Sequence, residues 1–148
     1  MKNNTFFRCR NIITIAAIVS VTACSTISKF DQYAYTQTTS LKVDALFVMG
    51  HATESYLLHQ LEVQQVQTAL SKMYEYEKNR PKNLISEKMW RVLGDSTGHL
   101  FGGFVRRWER EGKLDSTFVK ESQAIVSESF DQILQLESGK IKSTQITN

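Results

Sequence analysis

TESYLLHQLEVQQVQTALSKMYEYEK, residues 53–78, is the stretch on which the fold turns. Tyr56, His59, Val63, Val66, Leu70 and Met73 recur at alternating steps of three and four, which puts them on one face of a helix. Gln60, Gln64, Gln65 and Gln67 are good helix formers and fall mostly on the outward side. Asn79-Arg80-Pro81-Lys82-Asn83 ends the segment, because Pro81 removes a backbone donor and pushes Arg80 away from helical geometry. Toward the N-terminus the same spacing runs on through Ala52, Met49 and Ala45, straight across Gly50. Two readings follow. Either one unbroken helix carries a heptad-like seam, or Gly50 caps a first helix, Thr53 starts a second, and a short turn at 50–53 makes an antiparallel hairpin. An interior glycine costs a helix only about 1 kcal/mol, so Gly50 leaves both open.

Residues 28–49 supply the first helix, with Phe30, Tyr33, Leu41, Ala45, Leu46, Val48 and Met49 as its apolar contacts. Its middle, Thr36 to Ser40, is a poor helix former. Past Pro81, Leu84, Ile85, Met89, Trp90 and Leu93 mark a short helix closed by Gly94. Leu100, Phe101, Phe104, Val105 and Trp108 mark another over 99–111, closed by Gly112. The last helix, about 117–138, is capped by Asp115 or Ser116 and carries Phe118, Ile125, Val126, Phe130, Ile133 and Leu134 inward. Sustained strand alternation and hairpin dipeptides are missing. The fold class is therefore all-α: a small bundle of four to five helices over 28–139, with a long N-terminal helix or a helical hairpin, and a polar tail at 140–148.

The chain has 148 residues and a formal charge of +3. Lys2, Arg8 and Arg10 supply all of that excess, since residues 1–23 hold no acid and the remainder balances 15 basic against 15 acidic side chains. A phosphate-backbone binder normally carries its basic excess in the folded part, so no nucleic-acid partner is expected. Ile12 to Val21 is an apolar run of ten, half of the roughly 20 residues that a spanning helix needs, and it suits a secretion signal. It ends in Val21-Thr22-Ala23-Cys24, which resembles the lipobox of bacterial lipoproteins. The resemblance covers residues 1–24. It implies removal of 1–23, with Cys9, and attachment of diacylglycerol and a fatty acyl group to Cys24. Residues 24–27 then form a short linker, and the bilayer becomes a partner through Cys24. Ser25 in place of the aspartate that retains such proteins in the inner membrane implies the outer membrane, facing the periplasm. With Cys24 consumed by lipid, a catalytic thiol, a cysteine zinc site and a disulfide framework are not expected.

Within the domain no catalytic arrangement stands out. A nucleophile elbow is missing. Asp95-Ser96 and His99 read as turn and capping residues, and Gly98, Gly102 and Gly103 lack the strand and the Lys-Ser/Thr of a phosphate loop. Gly102-Gly103 reads instead as a place of close approach or a break. His51, Glu54, His59 and Glu62 have metal-ligand chemistry, but on a single helix a spacing of eight puts the two histidines some 12 Å apart along the axis. No metal or other cofactor is expected. The most distinctive stretch, Phe101 to Arg110, offers Arg106, Arg107 and Arg110 as a basic patch with Trp108 as an aromatic anchor for an envelope protein or anionic ligand. Its competing reading is an amphipathic helix with Trp108 in the core. By elimination the expected role is non-enzymatic binding through a helical surface, with a peptidoglycan enzyme or a lipid-binding module as the alternatives.

Overall fold

A computed structural model describes residues 28–139; the expected signal segment 1–23, the expected lipidation site Cys24, Ser25 and residues 140–148 lie outside that range. Among the described residues five α-helices form the bundle: α1 (Gln32–Gly50), α2 (Tyr56–Lys78), α3 (Leu84–Gly94), α4 (Phe101–Glu111) and α5 (Ser116–Glu137). A single 3₁₀ turn, His51–Thr53, joins α1 to α2. Antiparallel neighbours follow from the short connections. α1 lies along α2 and, in the opposite direction, along α5: Asp31 meets Glu137, Lys42 meets Asp131 and Gln123 donates to the Leu46 carbonyl. α3 folds back on α2, and α4 closes the bundle against both. Among the described residues no helix is long and apolar enough to cross a membrane.

The hairpin is thus the reading the molecule adopts, and the reason lies far from Gly50 in sequence. The turn is stapled by the loop after α4: the Leu114 amide donates to the Ala52 carbonyl at 2.8 Å and the Tyr56 amide to the Gly112 carbonyl at 2.9 Å. Gly112 takes φ +76, a conformation that favours glycine. Gly50 itself is an ordinary right-handed residue at φ −60, so its expected capping role is not the one it plays. His51 occupies the C-cap position of α1, and Ser55 rather than Thr53 precedes α2. Ala45, Met49, Ala52, Tyr56, Val63, Val66, Leu70 and Met73 are all buried. The seam therefore marks the core correctly under either reading, which is why it could not choose between them.

Threonine is tolerated in α1 because its hydroxyls stay inside the helix. Thr38 donates to the Ala34 carbonyl at 2.7 Å and Thr39 to the Tyr35 carbonyl at 2.9 Å. Asp115 caps α5 by accepting from the Thr117 and Phe118 amides. One expected core residue of α5 is misplaced: Ile125 is 53% exposed. The inward row is Val119, Ser122, Val126, Phe130 and Ile133, and Ile125 sits beside it.

Gly102-Gly103 is a point of close approach. A Cβ on Gly102 would stand 2.6 Å from the carbonyl carbons of Gly94 and Asp95, and one on Gly103 would stand 2.7 Å from that of Gly98. The start of α4 thus rests directly on the backbone that leaves α3.

Candidate functional site

The two ends of the bundle are chemically different. At the end where the described chain begins, Arg80 is surrounded by carboxylates. Its Nη1 donates to both oxygens of Glu77 at 3.0 Å and to Glu137 Oε2 at 2.9 Å. Its Nη2 donates to Glu137 Oε1 at 3.0 Å and to the Lys29 carbonyl at 2.8 Å. The Asp31 amide donates to Glu137, while the Asp31 carboxylate caps α1 and accepts from the Tyr76 hydroxyl at 2.6 Å. Asn83 donates to Glu77 and accepts from Ser28. Burial pushes the Glu77 carboxyl above the usual carboxylate range, against the pull of Asn83 and Arg80. The hydrogen bond from Tyr76 holds Asp31 low, and the same bond pushes the Tyr76 phenol up to about 12. Glu77 and Glu137 are buried, and their oxygens are committed to the guanidinium and its neighbours. This cluster ties residues 28–31 to the C-terminal ends of α2 and α5. Sequence reading missed it, because partners 57 residues apart leave no local pattern.

The opposite end carries the hairpin turn and the stretch singled out in the sequence. Trp108 is not a surface anchor. It is fully buried, edge-on to Tyr56, and its Nε1 donates to the Glu54 carbonyl at 3.0 Å. The 3.6-residue period leaves it on the same face as Phe101, Phe104 and Val105, which are buried too. Arg106, Arg107 and Arg110 are exposed. Arg107 and Arg110 share Glu111 Oε1 at 3.0 Å, and the Arg107 guanidinium lies 4.0 Å over the Phe118 ring. Arg106 makes no ion pair among the described residues.

The same turn brings together the histidines that an eight-residue spacing would hold apart. His51 sits on the 3₁₀ turn and His59 on α2, and their rings stack with centroids 4.5 Å apart. The axial separation applied only to a continuous helix. His59 Nε2 lies 3.0 Å from Glu54 Oε2, and its Nδ1 lies 3.2 Å from Glu62 Oε2. The hydrogen bond that His59 donates to Glu54, reinforced by Glu62 and opposed by burial, raises the His59 imidazole above its ordinary value.

Three leucines stand out beside this cluster. Leu57, Leu58 and Leu61 are 78%, 74% and 68% exposed. They lie on the outward side of α2, away from its seam. Phe47, also exposed, lines the groove where α1 meets α2 and contacts the His51 ring edge-on.

No family model, curated protein or solved structure matches the chain.

A cleft of about 710 Å³ lies elsewhere, between α2, α3 and the start of α4. Glu75 and Asp95 are its acids. Asp95 accepts from the Thr97 amide and hydroxyl, which hold its carboxyl below the usual range. Asp95 therefore acts as the turn residue the sequence suggested and is poorly suited to donate a proton.

Proposed function

We propose that this chain is a lipid-anchored bacterial envelope protein that binds a protein partner through the hairpin end of its bundle. The observation that carries the binding role is the outward leucine group Leu57, Leu58 and Leu61, with Phe47 also exposed on α1. Three residues, and so four Cα steps, separate Cys24 from Ser28, a reach of at most about 14 Å. Ser28 is tied to Asn83, beyond the C-terminal end of α2, so the acyl chains enter the bilayer close to that end. From Leu58 to Lys78 the helix rises about 30 Å, so the leucines lie at the other end of the helix from the tied residues, which supports a partner other than the bilayer. Arg106, Arg107 and Arg110 lie on α4, whose following loop is bonded to the same turn. Apolar side chains with a charged margin have the character of a protein interface. Glu54 and Glu62 flank the leucines and make an anionic lipid surface the poorer occupant. Ser25 supports the outer membrane as the site of anchoring. Binding, rather than catalysis, is the role this surface supports.

The test is the triple variant Leu57→Asp/Leu58→Asp/Leu61→Asp. It is expected to lose its envelope partner in crosslinking from intact cells while its melting temperature stays within a few degrees of the parent, because exposed positions cost little. Cys24→Ala is expected to leave the membrane fraction. Retained crosslinking in the triple variant would reject the leucine surface, and persistence of Cys24→Ala in the membrane would reject the anchor.

A further inference from the structure

We propose that His51, His59 and Glu62, with Glu54 as a supporting carboxylate, form a binding site for a divalent transition metal of the zinc type. One ligand atom from each of His51, His59 and Glu62 already lies within 4.8 Å of the others. Two imidazoles and a carboxylate match zinc, whereas calcium and magnesium prefer all-oxygen shells. The backbone under the site is held: the turn that carries His51 is stapled by Leu114 and Gly112, and the His59 ring packs against buried Trp108 at 5.8 Å between centroids.

The two nitrogens of His59 divide the work. Nδ1 faces Glu62 and is the side from which both can reach one ion. Nε2 faces Glu54 at 3.0 Å, so a proton on Nε2 donates to that carboxylate. A ligating histidine whose other nitrogen is held by a carboxylate is the usual support of a zinc site, because it fixes the tautomer and makes the ligand more basic. Zinc bond lengths near 2.0–2.2 Å require tetrahedral ligand atoms about 3.4 Å apart. The His59–Glu62 pair is already that close, and the wider separations, up to 4.8 Å, must contract by as much as roughly 1.4 Å. The parts that move are the more exposed ones: the Glu62 carboxylate and the His51 ring, which turns out of its stack on His59. Three protein ligands leave one position open on the solvent side.

The experiment uses the full chain in detergent, titrated with zinc chloride by calorimetry and with cobalt(II) by visible absorption. One zinc per chain is expected, with visible cobalt bands of low-coordinate geometry and a melting temperature that rises with zinc. His51→Ala, which alters the more exposed ring, and Glu62→Gln are each expected to weaken zinc at least tenfold. Glu54→Gln is expected to weaken it about tenfold to a hundredfold. His99→Ala, remote in sequence from the cluster, is expected to bind as the parent does. His59→Ala is included with a circular dichroism control, since it also removes packing on Trp108. Absence of zinc heat and cobalt bands at 1 mM metal, or binding undiminished in both His51→Ala and Glu62→Gln, would overturn the site.

Discussion

Arg80→Ala is expected to destabilise the bundle by about 3–5 kcal/mol, because it strands two buried carboxylates without their counter-charge. Glu77 is only 2% exposed and Glu137 is 8% exposed, so solvent cannot replace the guanidinium. Against a total stability of roughly 5–15 kcal/mol, such a loss threatens folding at physiological temperature. Arg80→Lys keeps the charge but cannot reproduce the forked donation to both acids, and should fall between the two. The dependence on pH has a definite sign. In the parent, burial raises the Glu77 carboxyl, so its ionisation opposes folding. The Glu77 contribution therefore improves as pH falls through its folded-state value toward the ordinary glutamate range near about 4.3. Asp31 is held low, so its contribution is lost as pH falls below about 3.9. In Arg80→Ala the first effect is stronger, because protons take over the role of the missing cation. The penalty measured by thermal unfolding should thus be largest near neutral pH and shrink toward pH 5. A penalty under 1 kcal/mol, or one that grows on acidification, would show that the cluster does not hold the bundle.

The second large effect is expected at Gly102 and Gly103. Adding a methyl group at either position drives a Cβ into backbone atoms of residues 94–98, which cannot turn aside as a flexible side chain can. Overpacking of this kind costs about 1–3 kcal/mol, and backbone opposition places each substitution at the upper end. The gain of about 1 kcal/mol in helix propensity offsets only part of it. The double variant Gly102→Ala/Gly103→Ala should separate α4 from the end of α3 and expose Phe101. Gly94→Ala is the control, since a Cβ there meets nothing within 4 Å. It should melt at or above the temperature of the parent. Equal melting temperatures for the double variant and Gly94→Ala would mean that the contact between α3 and α4 is looser than described.

Much of this architecture was legible because helical burial leaves a local imprint. The alternation of three and four from Ala45 to Met73 marked eight core side chains before any topology was known. Asp115 as a cap and Gly112 as a stop depend only on their immediate neighbours, and both hold. What the chain does between residues 50 and 56 depends instead on hydrogen bonds to Gly112 and Leu114, nearly sixty residues away. No reading of Gly50 alone contains that information. The same gap explains the histidines. Their chemistry was visible, but their distance was computed for a helix that turns back between them. Trp108 was ambiguous because a tryptophan beside arginines suits an interface and a core equally well. Its indole bond to Glu54 decides for the core. The Arg80 cluster was invisible because Glu77, Glu137 and Asp31 come from three separate elements.

In the proposed arrangement, one end of the bundle is held near the membrane while the other presents leucines to a partner. Its most direct test is a photo-crosslinking amino acid placed at Leu61 and, separately, at Lys82 beside the tied end, in otherwise native chain in living cells. The account predicts a discrete protein adduct from position 61 that disappears in Cys24→Ala, and lipid or no adduct from position 82. Protein adducts of equal yield from both positions, or adducts at 61 made only of lipid, would contradict it.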